Sequence, residues 1–116
     1  MSKKINDELG HVVGDKVLVE MAALVENMLV ETDLFGRWGG EEFVILTFKR
    51  NKQEAIELAE KLRKGIETHP FSLAGKVTSS FGVTSTDDRD TTETLMNRVD
   101  EALYSAKKEG RNQVRY

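Results

Sequence analysis

The chain has 116 residues, of which 39% are hydrophobic and 32% charged, with a net charge of −3; that length supports one hydrophobic core and is short for two ordinary domains. The acidic balance argues against gripping a long nucleic acid by counterion release, which needs a broad basic surface, while a small phosphorylated ligand held by a few local cations stays allowed. The absence of cysteine excludes disulfides and thiolate metal sites, and with no apolar run near the roughly 18 residues of a membrane span and no secretory signal, the expectation is a cytoplasmic domain without membrane contact, though an anchored parent protein is compatible with it.

Apolar residues at Leu18, Met21, Ala22, Val25, Met28 and Leu29 have the i, i+3, i+4, i+7 spacing of one helix face. They predict a helix over Lys16 to Val30 with Asp15 as its N-cap. Asp33 to Trp38 and Phe43 to Phe48 read as two strands joined through Gly39-Gly40 into a β-hairpin. Ala55, Leu58, Ala59, Leu62 and Ile66 predict a second helix over Lys52 to Thr68, with Asn51 and Glu54 placed as a capping box and His69-Pro70 ending it. Val77, Ser79, Phe81 and Val83 alternate along a half-buried strand over Lys76 to Thr84. Leu95, Val99, Ala102, Leu103 and Ala106 predict a third helix from about Thr91 to Lys108, with Asp90 as cap and Gly110 as stop, before a short closing strand at Gln113 to Tyr116. This order predicts a single domain over residues 1–116: an α/β sandwich of the α+β kind, with a mainly antiparallel central sheet flanked by helices. Phe43, Phe48, Phe71, Phe81, Leu103, Tyr104 and the methionines are expected in the core.

The chemistry concentrates at Arg37-Trp38-Gly39-Gly40-Glu41-Glu42-Phe43. Two glycines at a hairpin tip permit positive φ angles and let an anionic group approach the backbone closely. Adjacent strand residues face opposite ways, so Glu41 and Glu42 do not share one task. Hard cations such as Mg²⁺ need only one or two carboxylates beside substrate phosphates, and Glu41, nearest the turn, is the candidate ligand. Taken alone, Gly-Gly-Glu-Glu fits an ordinary hairpin with two solvated acids better than a metal site.

The flanking residues narrow this. Lys3-Lys4-Ile5-Asn6-Asp7-Glu8-Leu9-Gly10-His11-Val12-Val13-Gly14-Asp15 precedes the hairpin. Val77-Thr78-Ser79-Ser80-Phe81-Gly82-Val83, Asp100-Glu101-Ala102-Leu103-Tyr104 and Ala106-Lys107-Lys108-Glu109-Gly110-Arg111-Asn112 follow it. In order and spacing these segments resemble the GGDEF family of diguanylate cyclases, in its GGEEF variant, over nearly the whole chain.

The resemblance implies a palm-like nucleotidyl-cyclase fold and a reaction in which two GTP molecules condense to cyclic di-GMP and two pyrophosphates. It implies a homodimer of half-sites with Mg²⁺ or Mn²⁺, two ions per active site. Asn6 and Asp15 match the positions that hold guanine, His11 lies in the same motif, and Lys3 matches the lysine that steadies charge on the phosphates. Arg37, Gly39 and Gly40 belong to the substrate-binding signature, and Glu41 and Glu42 are implied as catalytic. Lys107 and Arg111 match phosphate contacts, with Asn112 and Arg115 in support. From the residues alone, Asn6 and Asp15 also suit helix capping, and Lys107 and Arg111 suit a helix C-terminus, where cations are favoured anyway.

Two departures stand out. The family's first strand, ending in a further aspartate ligand, precedes the motif that starts here at Ser2. The resemblance therefore implies a segment of a longer protein, with a sensory or receiver domain upstream, and weak or absent turnover by these 116 residues alone. The inhibitory product site of many members, R-x-x-D, keeps Asp33 but has Val30 in place of the arginine. A valine makes no bidentate contact, so that site is expected to be absent. The alternative functional reading is a degenerate GTP-binding or regulatory module without catalysis.

Overall fold

A computed structural model of the chain describes residues 11–39, 42–72 and 74–116, with side chains from residue 14 onward. The element order is α1 (His11–Met28), β1 (Asp33–Gly39), β2 (Glu42–Thr47), α2 (Lys52–Thr68), β3 (Phe81–Gly82), α3 (Thr92–Lys108) and β4 (Val114–Arg115). The fold is α+β, as expected. Its contacts divide into two compact units, residues 1–49 with 65–77 and residues 50–64 with 78–116.

In the first unit, α1 begins earlier than its apolar pattern suggested. It runs through Gly14, so Asp15 is an exposed residue inside the helix rather than its N-cap. A single glycine costs a helix only about 1 kcal/mol, too little to stop it here. Val17, Leu18, Met21 and Val25 form its buried stripe, and Ile66, Phe71 and Val77 are buried in the same unit. Glu20 on α1 secures the segment that leaves α2. Its carboxylate lies 2.7 Å from His69 Nε2 and accepts from Ser72 Oγ at 2.9 Å, while the His69 ring meets Phe71 edge-on at 4.6 Å. His69-Pro70 does end α2, as predicted.

Strands β1 and β2 pair antiparallel, with Leu34 opposite Leu46, Phe35 opposite Ile45 and Arg37 opposite Phe43. Phe35 and Phe43 stack at 5.2 Å on one face. Phe48 is a correction: it is 70% exposed, because the ladder ends at the Asp33–Thr47 pair and nothing opposes the residue beyond it.

In the second unit, the capping box of α2 forms as read, the Asn51 amide donating to Glu54 Oε1 at 3.1 Å and the Glu54 amide to Asn51 Oδ1 at 2.8 Å. Ala59, Val83 and Val114 make a buried cluster with Ala55, Ile56 and Phe81 packed against it. The predicted strand over Lys76 to Thr84 shrinks to Phe81–Gly82, which pairs in parallel with Val114–Arg115. Its alternation nonetheless appears in burial, Val77 and Val83 being interior. Ladder length is set by the partner, and β4 has two residues. Among the described residues the pairing thus forms two two-stranded sheets, one antiparallel and one parallel.

The cap of α3 is also corrected. Thr91, not Asp90, caps the helix, exchanging hydrogen bonds with Thr94 at 3.1 and 2.9 Å. Asp90 is claimed by Arg98, which reaches it at 2.9 and 2.5 Å and also donates to Thr84 Oγ1 and the Ser85 carbonyl. Tyr104 is 66% exposed, contrary to expectation: the face of α3 on the sheet carries Val99 and Leu103, and Tyr104 is turned about 100° from Leu103 on a 3.6-residue helix.

Gly82 sits against α3 so closely that a Cβ there would lie 2.5 Å from the Leu103 nitrogen and 2.7 Å from the Val99 oxygen. Both are backbone atoms that cannot rotate away. Gly82→Ala is expected to destabilise the fold by about 1–3 kcal/mol, whereas Gly36→Ala, where a Cβ would meet nothing within 4 Å, should stay within about 0.5 kcal/mol; urea unfolding of both variants checks the contrast. The Asp90 carboxyl is held well below the usual carboxylate range, chiefly by the Arg98 guanidinium, with the Asp87 amide and Thr94 hydroxyl adding to it. The folded state therefore binds this proton less readily than the unfolded chain, and the pair stabilises fully above about pH 4 and progressively less as pH falls further. Asp90→Asn should lower the urea midpoint at pH 7, with the gap from wild type closing as pH drops below about 4; a gap that persists undiminished at pH 3 contradicts this.

Candidate functional site

The hairpin presents the central motif. Gly39 pairs with Glu42 and Arg37 with Phe43, with an irregularity between Arg37 and Gly39 that leaves Trp38 without a register partner. Such a bulge increases local twist and re-aims neighbouring side chains; Trp38 is 59% exposed. A Cβ at Gly39 would meet nothing within 4 Å, and its φ is not positive. Bare backbone, rather than a left-handed conformation, is what this glycine supplies. Arg37 is exposed and Glu42 half-buried. Gly40 and Glu41 lie outside the described residues, as do Lys3, Asn6 and the side chain of His11. Asp15, on α1, belongs to the same unit as the hairpin and presents an exposed carboxylate.

The cationic residues lie in the second unit. Lys107 is in the last turn of α3, a favourable place for positive charge beside the unpaired carbonyls of the helix end. Gly110, with φ of 122°, ends the helix as read, and the Arg111 amide returns to the Ala106 carbonyl at 2.9 Å, the six-residue closure of a Schellman-type cap. The two residues that follow are unusual. Arg111 has φ of 60° and Asn112 of 47°, the left-handed region, which Asn tolerates and Arg does not favour. Strained backbone of this kind concentrates at functional sites.

Three side chains hold that turn. The Asn112 amide donates to Ser80 Oγ at 3.2 Å, and Asn112 Oδ1 accepts from Arg63 Nη1 at 3.0 Å. Arg63 is in turn fixed by Glu60 through Nε at 2.9 Å and through a second, shorter contact from Nη2. That pairing holds the Glu60 carboxyl below its ordinary value. The Arg63–Asn112 contact spans 49 residues and has no local signal, so sequence reading missed Arg63, Glu60 and Ser80. Asn112 was read as supportive.

Among the described residues no group of three or more His, Asp or Glu side chains could hold a metal, and no helix is long and apolar enough to cross a membrane. The chemistry on view is a hairpin tip with bare backbone and an acid, an exposed carboxylate on α1, and a cationic helix end with a strained arginine.

Comparison with known proteins adds the kinship. The family described as "Diguanylate cyclase, GGDEF domain" matches residues 2–113. The response regulator PleD of Caulobacter vibrioides is 42% identical over 118 aligned residues, which cover 97% of this chain and 26% of PleD. Diguanylate cyclase DgcP of Pseudomonas aeruginosa is 38% identical over 97% of this chain and 17% of its own length. The chain thus spans about a quarter of PleD and about a sixth of DgcP. The active GGEEF domain of a diguanylate cyclase from Vibrio cholerae superposes with a TM-score of 0.87 at 36% identity, covering 97% of this chain and 74% of that one. Profile, identity and superposition extend over the hairpin, α1 and the α3 end alike, and the chain belongs to the GGDEF domain family of diguanylate cyclases.

Proposed function

We propose that this domain condenses two GTP molecules into cyclic di-GMP with release of two pyrophosphates, working as a homodimer in which each subunit holds one GTP. The observation that carries the reading is the hairpin register, in which Gly39 opposes Glu42 and Arg37 opposes Phe43, so that the two ends of the Gly39-Gly40-Glu41-Glu42 signature are paired. In this reading the bare backbone at Gly39 and Gly40 admits the phosphates, with Arg37 beside them. Asp15 and Asn6 take the guanine edge. A carboxylate accepts from guanine N1–H and N2–H together, a pattern that adenine lacks. His11 completes that pocket, and Lys3 steadies phosphate charge.

Lys107 supplies a point charge, and Arg111 a planar fork suited to phosphate oxygens. Each 3′ hydroxyl attacks the α-phosphorus of the other nucleotide: two P–O bonds form, two bonds to pyrophosphate break, and in this reading Glu41 accepts a hydroxyl proton, with Glu42 beside it in the signature. The donor chemistry fits Mg²⁺ or Mn²⁺, since such ions need few protein carboxylates when substrate phosphates and waters complete the shell; Glu41 would hold the ion, which when bound lowers the pKa of the hydroxyl and offsets phosphate charge. Two ions per site is part of this proposal. The greater length of PleD and DgcP supports an attached input segment, and the GTP substrate supports a cytoplasmic site.

Product feedback through the turn before β1 is not part of this reading. Val30 offers only methyl groups there, and Asp33 is engaged in closing the turn: its Oδ2 accepts from the Val30 amide at 2.9 Å and its own amide donates to the Val30 carbonyl at 3.0 Å.

In the protein carrying this domain, Glu41→Gln is expected to lower cyclic di-GMP formation from GTP and Mg²⁺ by at least ~100-fold, followed by chromatography of the products; undiminished turnover in that variant overturns the assignment. Arg111→Gly separates stability from binding. Relieving the left-handed arginine should raise stability by about 0.5–1 kcal/mol, seen as a higher urea midpoint, while weakening GTP binding measured by calorimetry.

A further inference from the structure

We propose that Arg63 is a positioning residue for Arg111, acting through Asn112; this rests on the reading of Arg111 as a phosphate contact. Neither Arg63 nor Asn112 has a place in the chemistry above, yet the structure commits several hydrogen bonds to them.

The starting point is a backbone conflict. Consecutive left-handed residues after a helix are costly for any side chain with a Cβ, and Arg gains nothing local to offset this. Gly110 already ends the helix, so the chain could leave it in extended conformation without strain. It does not, because Asn112 is held at both ends. Its amide donates to Ser80 Oγ beside β3, and its side-chain oxygen accepts from Arg63 on α2. With Asn112 fixed at φ of 47° and Gly110 at φ of 122°, the residue between them has little freedom, and Arg111 is carried to φ of 60°.

Arg63 suits the role of an anchor. Its side chain is only 13% exposed and Glu60 orients it through Nε and Nη2, which leaves Nη1 directed at Asn112. A guanidinium locked on one edge presents the other in a defined direction, which a lysine in the same place would not do. Arg111, by contrast, is exposed, and no hydrogen bond or ion pair engages its guanidinium among the described residues. The arrangement is one half-buried arginine fixing the backbone so that a second, unengaged arginine is presented at a set angle. Glu109, Arg115 and Gln113 complete the surroundings: Arg115 Nε donates to Glu109 Oε2 at 2.7 Å, and Gln113 Nε2 donates to the Arg111 carbonyl at 3.2 Å. These contacts steady the main chain on either side and leave the Arg111 fork to a ligand.

The test compares calorimetric affinities for GTP and GMP, each with Mg²⁺, since the ratio isolates recognition of the outer phosphates. Arg63→Ala and Asn112→Ala should each reduce the GTP-over-GMP ratio by about tenfold, the scale of one charge-assisted hydrogen bond, with GMP affinity unchanged. Asn112→Asp, which keeps an acceptor for Arg63 and tolerates the left-handed region, should restore the ratio. In an Arg111→Ala background, Arg63→Ala should have no further effect. An unchanged ratio in Arg63→Ala overturns the proposal, as does a parallel fall in GTP and GMP affinity, which marks a merely structural role. If Arg63→Ala does not fold by circular dichroism, Asn112→Ala carries the same comparison. A wild-type ratio of one overturns the phosphate reading of Arg111 itself, and the positioning role with it.

Discussion

The contact on which the second unit turns is the meeting of backbone with backbone at Gly82. Two main chains at that distance leave no room for a methyl group, and no side-chain rearrangement elsewhere can compensate, because the obstructing atoms belong to a hydrogen-bonded helix. This approach seats α3 on β3, and β3 is tied in parallel to β4 by the Phe81 and Val83 amides, each 2.9 Å from a carbonyl of the closing segment. The turn between α3 and β4 must then span a short, set gap. Its left-handed residues are held by the Arg63 and Ser80 contacts with Asn112.

The first unit follows a different logic. Among its described residues the hairpin has no comparable close contact at a glycine; Gly36 and Gly39 both face open space. Register there is set by pairing of apolar residues, Leu34 with Leu46 and Phe35 with Ile45, and a slip by one residue would exchange the faces of every side chain. The order of the ladder therefore decides which residues reach the tip. The clasp of Glu20 with His69 and Ser72 holds the segment after α2 against α1, the helix that carries Asp15.

Membership of the GGDEF domain family brings these features under one chemical purpose. Nucleotide condensation asks for a purine edge to be read, for phosphates to lie near backbone and cations, and for a carboxylate near the reacting oxygens. In the proposed reading those demands fall on different elements: α1 for the base, the Gly39–Glu42 signature for the phosphates and metal, the α3 end for cationic contacts.

The residue order alone was enough for the family, the three helices, the hairpin and the Asn51–Glu54 capping box, because each rests on local periodicity or on motifs a few residues long. It also placed Gly110 correctly, since helix termination is a local event. It misjudged Asp15 and Asp90 as caps, because a carboxylate beside an apolar run satisfies the capping pattern whether or not a distant arginine such as Arg98 claims it. Phe48 and Tyr104 were assigned to the core by type, whereas burial depends on what stands opposite. The strand at Lys76 to Thr84 was overextended because a ladder needs a partner of equal length. The anchoring of Asn112 by Arg63, 49 positions away, and the reason Gly82 must be glycine, came only with the tertiary structure, since both depend on segments brought together by folding rather than on their neighbours in the chain.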